Sequence, residues 1–159
     1  MKAKILVVAL VAMLALAMST PALAAAPLNQ ASGGGTVDWP NGRVTYGFTA
    51  QQIDQNGDAR GQAQFYHRDV FEFPDHAQVL YLVVDTNTGD AWIGAVITQS
   101  EDATLVGQEI YWRVQDNGQG SKASGPDGVS SVAFGPAVNA LSMPMMSLMD
   151  WTNGNVKVK

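Results

Sequence analysis

Apolar and polar residues alternate with a period of two along most of the chain after residue 35. This pattern predicts β-strands with one buried and one solvated face. The alternating or continuously apolar segments are 43–50, 60–68, 78–84, 91–98, 109–115, 129–134 and 155–159. Turn-forming residues separate them, and the turn at 85–90 predicts a hairpin between the strands on either side of it.

Short strands of this kind predict an all-β fold, namely a small antiparallel β-barrel or alternatively a β-sandwich, of about seven to nine strands. Gly47, Gly61 and Gly94 lie inside predicted strands. Interior glycines often mark bends at barrel corners, which favours the barrel. The segment 136–149 has helical spacing, and Pro144 limits it to a helical turn or a loop that packs on the sheet.

In a barrel, one side of each alternating strand points into the interior. A carrier of a small apolar ligand would bind it there, so the inward positions supply the candidate ligand-binding residues. These are Tyr46, Phe48, Phe65, His67, Trp92 and Trp112. On the polar sides of their strands, Tyr66 and Tyr111 are candidates for an exposed binding patch. The methionine-rich stretch 143–149 is adaptable apolar material. A plain hydrophobic plug is the favoured interpretation, and cover for a barrel mouth is the alternative.

The first 24 residues have the three-part pattern of a cleavable secretory signal. A basic start precedes the uncharged apolar stretch 5–18, and the small residues 22–24 form a cleavage site. The apolar stretch is shorter than the roughly 20 residues that a membrane-spanning helix needs. We therefore expect a secreted or periplasmic bacterial protein without a membrane anchor. Its expected divisions are a signal at 1–24, a flexible lead-in at 25–34 and a single β domain at 35–159.

The charge balance and the lack of cysteine narrow the functional classes. The net charge is −5, and loss of Lys2 and Lys4 with the signal makes it −7. An acidic surface repels phosphate backbones and anionic lipids, which argues against nucleic-acid and membrane partners. The chain has no cysteine, which excludes disulfides, thiol nucleophiles and cysteine-ligated metals. Packing and backbone hydrogen bonds must therefore hold the fold together.

The loop between the first two predicted strands carries oxygen-bearing side chains at alternate positions, Asp54, Asn56 and Asp58, as calcium loops do. The rest of the calcium-loop pattern is missing, because Ala59 and Phe65 stand where a glycine and a bidentate glutamate belong. A hairpin turn built on the Asn-Gly pair is the favoured interpretation. A weak calcium site is the alternative, and no other metal and no cofactor is predicted.

Two histidines are the remaining candidates for catalysis. His67 and His76 match no zinc-binding spacing. His67 shares the inward side with Phe65, and a carboxylate such as Asp85 or Asp116 is a candidate partner. The sequence contains no nucleophile elbow and no glycine loop that opens a helix.

Four short motifs give the chain a resemblance to a known family. They are Gly33-Gly34-Gly35-Thr36-Val37, Tyr46-Gly47-Phe48, the stretch 60–66 with its Arg-Gly start and final tyrosine, and Val114-Gln115-Asp116-Asn117-Gly118. They resemble the post-COAP family, small β-domains of exported bacterial proteins, and residues 154–158 resemble its closing strand. The family often has Glu-Pro where this chain has Gln119-Gly120, and the stretch 136–150 is longer and richer in methionine here. The resemblance implies an exported all-β domain and supplies no active site.

Three functional hypotheses follow from the sequence. The first is an exported, non-catalytic β-domain that binds an extracellular polymer or a partner protein, because β faces carry aromatic residues and no catalytic constellation is recognisable. The second is a barrel carrier of a small apolar ligand. The third and weakest is an enzyme that uses His67 with a carboxylate.

Overall fold

The computed structural model describes residues 26–40, 42–69, 74–118 and 123–159, and this part of the chain is almost entirely antiparallel β-structure. Ten strands lie within it. They are β1 (Gln30–Trp39), β2 (Gly42–Gln52), β3 (Ala59–His67), β4 (Asp75–Asp85), β5 (Asp90–Gln99), β6 (Glu109–Gln115), β7 (Gly128–Ser130), β8 (Ala133–Phe134), β9 (Leu148–Asp150) and β10 (Asn153–Val158). The all-β, barrel-like fold that the alternation predicts is confirmed.

The strands form one curled sheet with the shape of a half-barrel. Its order is β10–β1–β2–β3–β4–β5–β6–β7–β9, and β8 pairs with β6 beside that path. The predicted hairpin at 85–90 joins β4 to β5. The two end strands, β9 and β10, follow one another in the sequence, so residues 151 and 152 connect the two edges of the sheet.

Two carboxylates strengthen this connection between the edges. Asp127, buried just before β7, accepts hydrogen bonds from the N–H of Val156 at 2.6 Å and the N–H of Asn117 at 2.9 Å. Asp116 accepts a hydrogen bond from the N–H of Val158 at 3.0 Å. Side-chain oxygens therefore satisfy backbone donors on β10, which would otherwise lie unpaired at the edge of the sheet.

The inner face of the curled sheet carries the hydrophobic core. Ile110, Trp112 and Val114 of β6 are fully buried there, as are Leu82 of β4 and Ile93 of β5. These residues follow the period of two that the sequence shows, so the core lies where the alternation predicts it.

Trp92 lies on the outer face, so its predicted inward orientation is wrong. In the register of β5 and β6, Ile93 lies opposite Trp112 and Trp92 lies opposite Arg113. Successive residues of a strand point to opposite faces, which puts Trp92 and Trp112 on different sides of the sheet. Residues 90–95 are all buried, because a second layer covers β5. Apolar residues therefore occupy both faces of β5, and the sequence pattern alone does not show which of them face inward and which face outward.

The second layer is the stretch 137–147, which packs on the outer side of β4, β5 and β6. It begins with the 3₁₀ helix Ala137–Ser142. The Nε1 of Trp92 donates a hydrogen bond to the carbonyl of Pro144 at 3.0 Å, and Arg113 donates to the carbonyl of Met146 at 3.2 Å. The predicted helical turn packed on the sheet is confirmed. The methionine-rich stretch covers an outer face rather than a barrel mouth.

The glycine run 33–35 lies within β1, and the predicted boundary between lead-in and domain is wrong at this point. β1 pairs with β10 on one side and with β2 on the other. A Cβ on Gly33 would approach the ring of Phe48 to 2.9 Å, and a Cβ on Gly35 would overlap the ring of Trp151. These glycines make room for aromatic rings against the backbone; they do not provide flexibility.

The chain is already attached to the sheet before β1 begins. The N–H of Leu28 donates to the carbonyl of Gln52 at 3.1 Å, and the side chain of Asn29 donates to the side chain of Gln52 at 2.5 Å. The predicted signal at 1–24 lies outside the described residues. In the ranges that the structure describes, no helix is both long and apolar enough to cross a membrane.

Candidate functional site

A row of small and polar residues crosses the outer face of five neighbouring strands. From β1 to β5, each member lies opposite the next in the register. The members are Gly34, Gly47, Gln64, His76 and Gln99. Neighbouring strands lie about 4.8 Å apart, so this glycine row is about 19 Å long.

Polar side chains flank the glycine row on both sides, about 7 Å away along the strands. One flanking row consists of Ser32, Thr49, Gln62 and Gln78. The other consists of Thr36, Thr45 and Tyr66. We call the glycine row and its two flanking rows the polar face.

Three open depressions lie on the polar face, and Gln62 borders all of them. One of about 430 Å³ lies between β3 and the adjoining parts of β4 and β5. A second of about 410 Å³ extends over Gly47, and a third of about 350 Å³ reaches Arg60. Since they share lining residues, they form one shallow trough across the strands.

A β-bulge lies at the β5 end of the trough. The register between β4 and β5 shifts at His76, so that Thr98 is an extra residue without a partner in β4. The hydroxyl of Thr98 donates a hydrogen bond to the carbonyl of His76 at 3.2 Å. A bulge bends its strand locally and is frequent beside binding sites. Here it lies where Gln99 meets His76, at the edge of the largest depression.

Gly47, near the middle of the trough, is a glycine that the fold does not require. A Cβ built on it would meet no atom within 4 Å, and its backbone is outside the left-handed region. A glycine inside a strand is less stable than alanine by about 0.5–1 kcal/mol. Such a position is typical of a place where another molecule approaches the backbone closely.

The chemistry of the trough is polar and almost uncharged. Of the described residues that line the three depressions, Arg60 alone has a permanent charge, and its Nε donates to the side-chain oxygen of Gln51 at 3.2 Å. Glutamine amides and threonine hydroxyls both donate and accept hydrogen bonds. They therefore match a ligand whose own groups do both, as hydroxyl groups do.

Four of the six predicted ligand-binding residues form an aromatic cluster on the inner face. The ring centroids of Tyr46 and Phe65 lie 5.5 Å apart, those of Phe65 and Trp112 5.1 Å, and those of Phe48 and Trp112 6.2 Å, all edge to face. Burial raises the pKa of Tyr46 to about 12. These rings pack against one another and so occupy the space in which a barrel carrier would bind its ligand.

Two buried tryptophan N–H groups in the interior also bear on the carrier hypothesis. The Nε1 groups of Trp112 and Trp151 are buried and have no hydrogen-bond partner among the described residues. An acceptor on a bound molecule would satisfy them, but Phe48 and Phe65 already contact the Trp112 ring. The carrier hypothesis stays a prediction that the packing argues against.

The predicted pairing of His67 with a carboxylate joins residues from opposite ends of the sheet. His67 ends β3 on the inner side, whereas Asp85 and Asp116 lie beside the β4–β5 hairpin. Asp69 is closer, because a Cβ on Gly42 would approach both Asp69 and the His67 ring. The structure therefore separates His67 from Asp85 and Asp116 and places Asp69 near it, and the hypothesis of an enzyme that uses His67 with a carboxylate stays a prediction.

Asp54 organises the loop that was considered for calcium. Its carboxylate accepts hydrogen bonds from the N–H of Asn56 at 2.9 Å and the N–H of Asp58 at 3.0 Å. β2 and β3 pair on either side of the loop, so the favoured hairpin turn is confirmed. Among the residues that the structure describes, no group of three His, Cys, Asp or Glu side chains is arranged to hold a metal ion.

Sequence reasoning named Tyr66 as an exposed candidate and missed the rest of the polar face. Tyr111, the other candidate, lies opposite Gly94 beneath the second layer. Gln62 and Gln64 are polar members of an alternating strand, and the motif at 60–66 that contains them implies no binding role. The one sequence feature that could have indicated these glutamines is that they are polar but uncharged. The row itself could not be predicted, because only strand pairing brings residues from five strands together.

No protein-family model matches the chain, and no curated protein and no solved structure is significantly similar to it. The resemblance to the post-COAP family therefore stays a prediction.

Proposed function

We propose that this protein is a non-catalytic binding module whose polar face takes an uncharged, hydroxyl-rich polymer such as a neutral polysaccharide. The observation that carries the proposal is Gly47. It lies at the floor of a trough, where a Cβ would meet no atom within 4 Å. A bound ligand gives a reason for keeping that floor bare.

The shape of the trough favours a polymer. It runs across five strands, about 19 Å by the spacing of strands in sheets, and it is open above. A chain of sugar rings would lie along the glycine row with polar side chains on both sides. A peptide that adds a strand needs a free sheet edge, whereas β1 to β4 are paired on both sides.

The chemistry of the trough favours hydroxyl groups over ions. Gln62, Gln64 and Gln78 are exposed and supply both donors and acceptors. Tyr66 borders the glycine row, with the Arg68 guanidinium 5.8 Å from its ring centroid. A sugar ring has an apolar face as well as hydroxyl groups, so a tyrosine next to amides suits it. The expected export of the protein would place such a polymer within its reach.

The proposal is tested with the variant Gly47→Val, which adds a branched side chain at the floor of the trough, where a Cβ meets no atom within 4 Å. Affinity electrophoresis through gels containing glucans, mannans, galactans or xylans measures binding. We expect at least one polysaccharide to retard the wild-type protein, and Gly47→Val to weaken that binding about tenfold or more, roughly 1.4 kcal/mol. Added salt should change the binding little, because the contacts are uncharged.

Gly125→Val is the matched control. A Cβ on Gly125 also meets nothing within 4 Å, but this residue lies in the β6–β7 connection, outside the polar face. It should bind like the wild type. Equal retardation of wild type and Gly47→Val, or no retardation by any neutral polysaccharide, would contradict the proposal.

A further inference from the structure

All methionines outside the predicted signal lie in one short stretch. The chain has seven methionines, and the four that follow residue 18 are Met143, Met145, Met146 and Met149. Methionine is common in cores because its flexible side chain fills gaps. Here the core contains none of the four as a fully buried residue. Met149 packs against the core, but Met143 and Met145 are exposed, so filling the core does not account for those two.

Exposure alternates along the stretch 143–148. Met143, Met145 and Ser147 are exposed, whereas Pro144, Met146 and Leu148 are partly buried. Met143 is 48% exposed and Met145 is 94% exposed. Met143 and Met145 are therefore the two exposed methionines of this stretch, and one partly buried proline separates them.

The backbone on both sides of Met145 is held in place. The carbonyl of Pro144 accepts the Nε1–H of Trp92, and the carbonyl of Met146 accepts a guanidinium N–H of Arg113. Arg113 is itself fixed by an ion pair with Asp90 at 2.8 Å. The sheet thus anchors residues 144 and 146 and presents the side chain between them outward.

Met143 has a backbone conformation unusual for its residue type. Its φ is 48°, in the left-handed region that residues other than glycine, asparagine and aspartate rarely adopt. Its N–H donates to the carbonyl of Ala140 at 3.1 Å. The turn ends the 3₁₀ helix. The chain geometry keeps the Cα atoms of Met143 and Met145 no more than about 7 Å apart, and two flexible thioether side chains can converge on one ion across that distance.

We infer that Met143 and Met145 form a surface site for a soft monovalent metal ion, Cu(I) or Ag(I). Thioether sulfur is a soft ligand that selects such ions over Mg²⁺, Ca²⁺ or Zn²⁺. The chain has no cysteine to compete for them. Met146 is partly buried, with its sulfur 3.7 Å from the Ser130 hydroxyl, so the two outward residues are the proposed ligands. This site uses different residues and a different chemistry from the polar face.

The test is a titration of the purified protein, labelled with methyl-¹³C methionine, with silver nitrate in chloride-free buffer. The methyl resonances, assigned by single Met→Leu variants, report which sulfurs bind. We expect the Met143 and Met145 signals to shift together and to saturate at a single ion per chain. Cu(I) under anaerobic conditions should shift the same two signals.

Leucine variants separate sulfur chemistry from apolar contact, because leucine keeps the size and apolarity of methionine without its sulfur. The double variant Met143→Leu/Met145→Leu should lose the saturable binding, whereas Met149→Leu should keep it. Circular dichroism of each variant reports that the fold is intact. Shifts that do not saturate, that spread evenly over all the methionines, or that persist in the double variant overturn the inference. Gly47→Val should bind silver like the wild type, which keeps this result separate from the polysaccharide test.

Discussion

The outer face of the sheet differs between its two halves. Over β5 and β6 the chain covers its own sheet with the stretch 137–147, and the outward residues beneath it include Trp92, Gly94 and Arg113. Over β1 to β3 and the adjoining part of β4, most outward residues are glutamine, threonine, serine and glycine, joined by Tyr66, His76 and a few charged residues such as Arg60, and solvent reaches them. Both halves belong to the same antiparallel sheet and share the inner core.

This difference shows how the side chains on one face decide what that face does. An apolar outer face must be covered, and here the covering segment is bound through Trp92 and Arg113. A polar, uncharged face needs no cover and is free to meet another molecule. Gly94 and Gly47 make the contrast concrete. The backbone of Ala137 occupies the position that a Cβ on Gly94 would take, and nothing lies near a Cβ on Gly47.

Substitution of Trp92 should show the largest difference in stability between the two halves. Trp92→Ala removes a ring that is 7% exposed, its hydrogen bond to Pro144 and the Arg113 guanidinium 5.4 Å from its ring centroid. We expect a loss of about 3–5 kcal/mol in the free energy of unfolding. Gln64→Ala, on the open half, should change it by less than about 0.5 kcal/mol. Urea denaturation measures both, and similar losses would contradict the distinction.

Alkaline pH tests the core that both halves share. Burial raises the pKa of Tyr46 from about 10 to about 12. The folded state therefore holds the phenol proton more tightly than the unfolded state. This contribution to stability is complete below pH 10 and is lost as the pH rises from about 10 to about 12. We expect the loss to reach about 3 kcal/mol.

Urea denaturation of wild type and Tyr46→Phe across this pH range checks the prediction. The wild type should lose stability more steeply, and the difference between the two proteins should shrink or reverse as the pH approaches 12. Parallel pH profiles would show that Tyr46 is not the group responsible.

Asp127 links the two edges of the curled sheet beneath both halves. Asp127→Ala leaves the N–H groups of Val156 and Asn117 without the carboxylate they donate to. A buried donor without a partner costs about 1–3 kcal/mol, so we expect a loss of roughly 2–3 kcal/mol in thermal or urea unfolding. Asp150→Ala, an exposed residue of β9, is the control and should change stability by less than about 0.5 kcal/mol. Equal effects of the two substitutions would mean that the junction of the edges does not depend on this carboxylate.

The sequence predicted a strand and its buried residues correctly wherever one face of that strand is exposed to solvent. β6 was predicted at 109–115 and is found at Glu109–Gln115, with Ile110 and Trp112 inside. The prediction failed for Trp92 because β5 is apolar on both faces, and only its register with β6 shows which residues share a side. The prediction also failed for the glycine run 33–35, because glycine is common both in flexible loops and where a ring packs on the backbone. The rings that approach this run come from distant segments of the chain.

The polar face was beyond sequence reasoning for a related reason. Each strand supplies one or two ordinary polar residues to it, such as Gln64 or His76, and neither belongs to a recognised binding or catalytic motif. The trough arises from strand register, which places Gly34 beside Gly47 and Gln64 beside His76. Register depends on pairing between segments far apart in the chain. The alternation does predict which side of each strand is polar, and that part of the site was accessible.

The smallest expected effects give the sharpest contrast, because the same substitution should act in opposite directions on the two halves. In Gly94→Ala the new methyl group would collide with the backbone of Ala137, and the covering 3₁₀ helix must shift. We expect a loss of about 1–3 kcal/mol. In Gly47→Ala the methyl group meets no atom within 4 Å, so the strand should gain about 0.5–1 kcal/mol from the better residue. Thermal unfolding of the two variants side by side measures the sign of each change. A loss in both would mean that Gly47 is required by the fold, and the argument that its place is kept bare for a ligand would fail with it.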